Sequence, residues 1–317
     1  MIIGAHLSTA GGLHMALERA RELRCRAVQI FTHNRAQWRI PRLTSEAIEC
    51  FRRTDEREGP FALAAHASYL VNLASPDRDL RERSIRTMVA EVRLCHALGI
   101  PLLVFHPGAH MGAGETRGLR RVVQALDRIH RATTAPAAED GGGAVADGDA
   151  TCDRSVAVAR RALPSTLPKT VIETTAGQGT GLGWRLEQIA EILSGLADPD
   201  RARVCFDTAH VFAAGYDLRT PRSYGKVWDA FDRTIGLANL AIFHFNDSRT
   251  PLGSRVDRHA HIGRGEIGGR PFGWILTDHR FAALPKILET PKEGEMDRKN
   301  LATLRRLAKR ASLAGQC

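Results

Sequence analysis

Residues 61–66 have the sequence Phe-Ala-Leu-Ala-Ala-His, and residues 102–106 have the sequence Leu-Leu-Val-Phe-His. Each is a short apolar run of strand length that is followed at once by a histidine. Between them, apolar residues from Ile85 to Val92 recur at helical spacing, and Gly99 marks the end of that pattern. A strand, a helix and a second strand in this order predict two parallel strands joined by a crossover helix.

The same pattern recurs along the chain. Apolar runs of strand length lie at residues 2–3, 27–31, 61–65, 102–105, 170–172, 204–206, 241–243 and 286–288. Segments with helical periodicity separate them, so strand and helix alternate about eight times. This α/β pattern predicts a closed (β/α)8 TIM barrel, with an open doubly wound sheet as the alternative. No Gly-x-Gly-x-x-Gly motif follows the first run, which argues against a dinucleotide-binding half.

Two stretches interrupt the alternation. Residues 132–154 are rich in Ala, Gly, Asp and Thr and contain no aromatic residue, which predicts a disordered, low-complexity insertion. Residues 247–269 form a long, charged segment after the seventh run, and long loops in compact domains are usually functional. We therefore expect a single domain over residues 1–317, interrupted by the insertion at 132–154.

The composition is that of an ordinary globular protein. The 317 residues are 43% hydrophobic and 25% charged. No apolar run approaches the roughly 18 residues of a membrane-spanning helix, and the N-terminus lacks the features of a signal peptide, so we expect a cytoplasmic protein. Six cysteines without a Cys-x-x-Cys pair argue against a cysteine zinc site. The formal net charge of +10 favours polyanionic partners such as nucleic acid.

Histidines and carboxylates at the ends of the runs and in the charged segment 247–269 carry the functional signal. The nine candidates are His66, His106, Glu173, Asp207, His210, His244, Asp257, His259 and Glu289. The carboxyl ends of the strands of such a barrel meet on one face, so these side chains should come together. They would repel each other or lose hydration there unless a cation lay between them. Imidazole and carboxylate are the usual non-sulfur ligands of Zn²⁺, so the pattern predicts a site for more than one metal ion.

Three further residues near this face are expected to support the ligands. His6 and His110 are candidates for contacts with a ligand or with the substrate. Asp247 lies close to His244 in the sequence, and we expect it to orient that imidazole.

Long motifs support a specific resemblance. They are Gly4-Ala-His-Leu-Ser-Thr-Ala-Gly-Gly12, His66-Ala-Ser-Tyr-Leu-Val-Asn-Leu73, Phe105-His-Pro-Gly-Ala-His110, Ile172-Glu-Thr-Thr-Ala-Gly-Gln-Gly179, Cys205-Phe-Asp-Thr-Ala-His-Val-Phe-Ala-Ala-Gly-Tyr-Asp217, Gly253-Ser-Arg-Val-Asp-Arg-His259 and Ile287-Leu-Glu-Thr290. On these motifs the chain resembles, nearly end to end, the endonuclease IV family of zinc-dependent apurinic/apyrimidinic (AP) endonucleases. The resemblance implies a TIM barrel of the xylose-isomerase-like type.

The resemblance also implies a centre of three zinc ions. The first would be bound by His66, His106 and Glu173, and the second by Glu173, Asp207, His244 and Glu289. The third would be bound by His210, Asp257 and His259. Glu173 and Glu289 would be the catalytic residues that position the attacking hydroxide.

The implied activity is DNA base-excision repair. The family hydrolyses the phosphodiester 5′ to an abasic site, leaving a 3′-hydroxyl and a 5′-deoxyribose phosphate, and removes 3′-blocking groups as a phosphodiesterase or phosphatase. The expected partner is double-stranded DNA that contains abasic sites or blocked 3′ ends, with no membrane contact. We expect a monomer, associated with the nucleoid if the source is bacterial.

The resemblance further implies that side chains enter the duplex where the abasic nucleotide is flipped out. Tyr69 and Leu70 match two such wedge residues. The family often has an arginine at the position of Ala36, so the adjacent Arg35 is the candidate for that role. The arginines expected to bind phosphate are Arg255 and Arg258.

Two other functions remain open from the sequence. A metal-dependent sugar isomerase or epimerase would share the barrel, but it needs fewer ligands than the nine candidates and no basic surface. A nucleic-acid-binding protein without enzymatic activity would show salt-dependent DNA affinity without metal-dependent turnover.

Overall fold

Eight parallel strands close into a barrel in the computed structural model, which describes residues 1–134 and 166–314. The barrel strands are β1 (Ile3–His6), β2 (Ala27–Phe31), β3 (Ala62–His66), β4 (Leu102–Phe105), β5 (Lys169–Glu173), β6 (Ala202–Asp207), β7 (Leu240–His244) and β10 (Lys286–Leu288). Their order around the barrel is β1-β10-β7-β6-β5-β4-β3-β2. A separate antiparallel ribbon consists of β8 (Asp247–Ser248) and β9 (His259–Ala260). The predicted (β/α)8 barrel is confirmed.

Helices connect the strands and bury their apolar stripes against the barrel. They are α1 (Met15–Glu22), α2 (Ser45–Glu58), α3 (Arg78–Leu98), α4 (Glu115–Thr134), α5 (Leu186–Gly195), α6 (Thr208–Ala214), α7 (Pro221–Thr234), α8 (Arg270–Thr277) and α9 (Met296–Ala314). In α3 the Asp77 side chain caps the backbone N–H groups of Asp79 and Leu80. The same helix ends at Gly99, whose φ of 78° is the left-handed conformation that favours glycine.

The interior of the barrel is packed by a layer of small and branched side chains, one from each of seven strands. They are Ala27, Ala64, Val104, Val171, Cys205, Ile242 and Ile287. On β1, Gly4 is in register with Ala27 and Ile287 of this layer. A Cβ atom at Gly4 would lie 1.6 Å from the Ala27 carbonyl oxygen, so only glycine fits there.

Several strands are longer than the apolar runs that predict them. Five candidate or neighbouring site residues are therefore the last residues of strands rather than loop residues: His6, His66, Glu173, Asp207 and His244. Polar side chains at the mouth of the barrel end an apolar run in the sequence, but their backbones still pair with the neighbouring strands. This places them on rigid backbone.

The two interrupting stretches differ in part from expectation. The predicted start of the insertion at residue 132 is wrong, because residues 132–134 continue α4 and the Ala132 carbonyl accepts a hydrogen bond from Arg93. Residues 135–154 lie outside the described residues. The segment 247–269 contains the ribbon of β8 and β9. Within the described ranges, no helix has the length and apolar character needed to cross a membrane.

Two glycine substitutions test the packing of the barrel. Gly4→Ala should lower the free energy of unfolding by about 1–3 kcal/mol because it forces backbone apart inside the closed barrel. Gly225→Ala, in α7, meets no atom within 4 Å and should raise the free energy of unfolding by about 0.5–1 kcal/mol. Urea unfolding of both variants measures the two effects. Equal stability of the two variants would contradict this packing.

Candidate metal centre

The predicted ligand residues converge at the carboxyl end of the barrel. Six end or directly follow barrel strands, and the other three lie on α6 and at or just before β9. The groups whose donor atoms all lie within 4.8 Å of one another include His66-His106-Glu173, Glu173-Asp207-His244-Glu289 and Asp207-His210-His259. The ninth residue, Asp257, is next to the third group. The structure therefore brings all nine predicted residues together.

Glu173 lies at the centre of this cluster. Its Oε2 atom is 3.1 Å from Nε2 of both His66 and His106. Its Oε1 atom is 2.8 Å from Nδ1 of His244 and 3.3 Å from Nδ1 of His210. The side chain is fully buried. Each carboxylate oxygen thus faces two imidazoles.

Asp207 belongs to both the second and the third group. It also caps the N-terminus of α6. Its Oδ1 atom accepts hydrogen bonds from the backbone N–H groups of Ala209 and His210, at 2.7 and 2.9 Å. Its Oδ2 atom accepts a hydrogen bond from Asn246 Nδ2 at 2.7 Å. The cap fixes the first turn of α6, and this turn places the imidazole of His210 in the cluster.

The third group is completed by the segment after β7. Nε2 of His210 lies 3.2 Å from Asp257 Oδ2, and Nε2 of His259 lies 3.3 Å from Asp257 Oδ1.

The expectation that Asp247 orients His244 is wrong. Asp247 instead accepts hydrogen bonds from the backbone N–H groups of Ser248, Gly263, Gly265 and Ile267. It therefore shapes the loop that carries two of the candidate ligands, Asp257 and His259.

Two buried amides, to which the sequence analysis assigned no role, hold the candidate ligands in place. Gln29 donates to Glu289 Oε1 at 2.6 Å and lies 2.9 Å from His244 Nε2 and 3.0 Å from His6 Nδ1. The Asn246 Oδ1 atom accepts a hydrogen bond from the backbone N–H of Glu289 at 2.9 Å. The only sign of Gln29 in the sequence is that a glutamine interrupts the apolar run at 27–31.

Charge is balanced inside the cluster between carboxylates and imidazoles. Burial disfavours the charged form of Glu173 and Glu289, but positive charge on His244 and its neighbours holds the pKa of both carboxyls well below the usual value. Burial also disfavours protonated His210, but the charges of Asp207 and Asp257 raise its pKa well above 6.5. Without metal, protonated imidazoles therefore balance the charge of the ionised carboxylates.

The donor set fits divalent metal ions. Among the described residues, the ion pairs of Glu173, Asp207 and Glu289 involve only histidines. Buried carboxylates are otherwise neutralised by a cation or a metal. Burial raises the pKa of the neighbouring Cys205 thiol to about 12, so without a metal this side chain stays uncharged at neutral pH. Imidazole and carboxylate are ligands typical of a catalytic zinc centre.

The cluster opens into a cleft of about 930 Å³ that His66, Tyr69, Leu70, Arg258 and Glu289 help to line. Tyr69 is 58% exposed. The guanidinium of Arg35 lies 5.5 Å from the centre of the Tyr69 ring, so these two predicted DNA contacts lie together at one rim.

The other predicted DNA contacts lie on the segment after β7. Arg255 stacks on Trp184, with 3.6 Å between the guanidinium carbon and the ring centre. Arg258 is exposed and donates a hydrogen bond to the Asp257 carbonyl. His110 is used within its own loop, where its Nδ1 atom accepts a hydrogen bond from the Gly114 N–H. Sequence reasoning did not identify Trp184.

Metal binding at pH 7 should release protons from this cluster. Burial lowers the pKa of both His210 and His244, but the charges of Asp207 and Asp257 raise that of His210 well above 6.5, and interactions with Cys205, Glu173 and Glu289 do the same for His244. A metal, in contrast, requires neutral imidazoles. Their protonation stabilises the metal-free fold below pH 6.5, and this stabilisation is lost as the pH rises through their higher folded-state pKa. Metal affinity should therefore increase with pH.

Calorimetry of zinc binding in two buffers of different ionisation enthalpy measures the protons released. His210→Ala should release fewer protons than the unmodified protein, and His279→Gln, which changes a histidine in a short helical turn outside the donor groups, should release as many. A binding enthalpy that does not depend on the buffer would contradict this account of the charges.

Comparisons with known proteins agree with this geometry. A family model described as a xylose isomerase-like TIM barrel matches residues 17–310. A curated protein of Geobacter sulfurreducens named probable endonuclease 4 is 44% identical over 310 residues, which cover 97% of this chain and 95% of that protein.

Solved structures show the same relationship. The crystal structure of endonuclease IV from Thermus thermophilus has a TM-score of 0.80 and 31% identity, covering 98% of this chain and 100% of that one. A D-tagatose 3-epimerase-like protein has a TM-score of 0.69 at 17% identity, covers 99% of both chains and shares the fold alone. The chain belongs to the endonuclease IV family of xylose isomerase-like TIM barrel proteins.

Proposed function

We propose that this protein is an AP endonuclease of DNA repair. It hydrolyses the phosphodiester on the 5′ side of an abasic site and leaves a 3′-hydroxyl and a 5′-deoxyribose phosphate. The observation that carries the proposal is the buried Glu173 carboxylate, which faces four imidazoles below an open cleft. Removal of a 3′-phosphate breaks the same bond between phosphorus and the 3′ oxygen, so the same site would also clear blocked 3′ ends.

We assign three zinc ions to the donor groups. The residues that would bind them are His66, His106 and Glu173 for the first, Glu173, Asp207, His244 and Glu289 for the second, and His210, Asp257 and His259 for the third. When bound, zinc supplies Lewis-acid activation of water and stabilises charge on the attacking and leaving oxygens of an in-line displacement.

The two catalytic carboxylates have different surroundings. Glu289 helps to line the cleft, so of the two it is the carboxylate that meets water there, and it orients the attacking water. The hydrogen bond from Gln29 holds its Oε1 atom in place. Glu173 is fully buried and keeps the surrounding imidazoles in a fixed arrangement.

Recognition of damage is assigned to the rim of the cleft. An abasic nucleotide has no base to unstack, so its extrusion from the duplex costs less than extrusion of a paired base. Exposed Tyr69 and neighbouring Leu70 fill the gap, with Arg35 beside them. Arg255 and Arg258 bind phosphate; stacking on Trp184 occupies the face of Arg255 and leaves the N–H groups in its plane for this contact.

The proposed reaction is tested with a duplex that contains one tetrahydrofuran abasic analogue. This analogue lacks the aldehyde that lyase-type elimination needs, so a cut on its 5′ side with a 3′-hydroxyl product demonstrates hydrolysis. Chelation should abolish the cut, and zinc should restore it. Glu173→Gln should lower the rate by about 10²–10³ or more, the effect of losing an electrostatic contact in an active site.

Glu187→Gln is the matched control because Glu187 is exposed on α5, away from the donor groups. It should retain the full rate. No incision by a protein with three bound zinc ions would refute the proposed substrate, and unchanged incision by Glu173→Gln would refute the role of this carboxylate.

A further inference from the structure

A buried carboxylate outside the metal centre joins two loops of the cleft rim. Glu91 lies on α3, and its side chain is 1% exposed. Its Oε1 atom lies 2.8 Å from Nε2 of His33 and accepts a hydrogen bond from the backbone N–H of Ser68 at 3.0 Å. His33 follows β2 and Ser68 follows β3. A single oxygen atom therefore contacts both loops.

The same two loops carry the residues assigned to DNA distortion. Arg35 belongs to the first loop, and Tyr69 and Leu70 belong to the second. The Ser68 hydroxyl donates a hydrogen bond to the Arg35 carbonyl at 2.7 Å and accepts one from the Leu70 N–H at 3.3 Å. These bonds connect Glu91 through Ser68 to both parts of the predicted wedge.

The stability of the fold does not by itself explain why a glutamate occupies position 91. Met88, Val92 and Cys95 lie on the same buried face of α3, where an apolar residue would pack without loss of hydration. Glu91 Oε2 and His33 Nδ1 are buried and have no hydrogen-bond partner among the described residues. A partly satisfied polar pair is usually less stable than an apolar substitute of similar size.

We propose that Glu91 is a positioning residue for the recognition of abasic DNA. With His33 it holds the two loops at a fixed spacing, so that Arg35 and Tyr69 enter the duplex as one preformed unit. This inference rests on the proposed function. The hydrogen bonds of Glu91 involve none of the nine ligand residues, so its loss should impair recognition without emptying the metal centre.

Three substitutions separate positioning from stability. Glu91→Leu removes the acceptor and keeps a similar volume. Glu91→Gln keeps one oxygen that can accept from both loops. Val92→Ala is the control for lost packing because Val92 is adjacent on α3, is fully buried in the apolar core, and forms no side-chain hydrogen bond.

Hydrogen exchange of the free protein tests the positioning directly. In Glu91→Leu, amide exchange should become at least tenfold faster in both loops, at residues 33–36 and 68–72, and stay unchanged in the strands that carry ligands. Glu91→Gln and Val92→Ala should exchange like the unmodified protein in both loops. Unchanged exchange in either loop of Glu91→Leu, or equal acceleration in Val92→Ala, would overturn the proposal.

DNA binding tests the consequence. In Glu91→Leu, the ratio of the affinity for a tetrahydrofuran duplex to that for an undamaged duplex should fall about tenfold. Affinity for undamaged DNA and zinc content should both be retained. Preserved preference, or loss of zinc together with preference, would overturn the proposal. If Glu91→Leu does not fold, His33→Phe replaces it, since it removes the imidazole that Glu91 contacts, keeps an aromatic ring and should give the same loss.

The two proposals fail in distinguishable ways. If the unmodified protein neither prefers nor cuts the tetrahydrofuran duplex, the proposed function is wrong, and the assigned role of Glu91 in recognition fails with it. If the unmodified protein does both and Glu91→Leu behaves like it, only the role of Glu91 is wrong.

Discussion

The contact of one buried carboxylate with four imidazoles is the constraint on which the rest of this structure depends. Glu173 has no exposed surface, and its partners come from β3, β7, α6 and the loop after β4. Bringing these groups out of water without compensation would destabilise the fold. The closed barrel makes the arrangement possible because it delivers residues from distant parts of the chain to one rigid rim.

Polar residues around the ligands maintain this arrangement. Gln29 fixes Glu289 and His244, Asn246 fixes Asp207 and the backbone of Glu289, and Asp247 organises the loop that carries Asp257 and His259. Such contacts set the orientation of ligands and their affinity for metal. The rim has a corresponding arrangement, in which Glu91 connects the two loops assigned to DNA distortion.

The sequence predicts the barrel, and the convergence of the nine candidate residues at its carboxyl end, because both depend on local patterns. Apolar runs indicate the strands, and a histidine or carboxylate at the end of a run indicates the functional face. Contacts such as Gln29 to Glu289 join residues 260 positions apart, and they exist only once the barrel closes. Asp247 was misassigned because adjacency in sequence to His244 gave no information on the four amides of the folded loop. Glu91 differs from its apolar neighbours on α3, but only the structure shows which loops it contacts.

The most direct test of the central role of Glu173 is a crystal structure of the zinc-loaded protein, with anomalous scattering measured on both sides of the zinc absorption edge. We expect three zinc peaks, with the Glu173 carboxylate bound to two of them through its two oxygens at roughly 2.0–2.2 Å. A single peak, or three peaks of which none is bound by Glu173, would contradict the account.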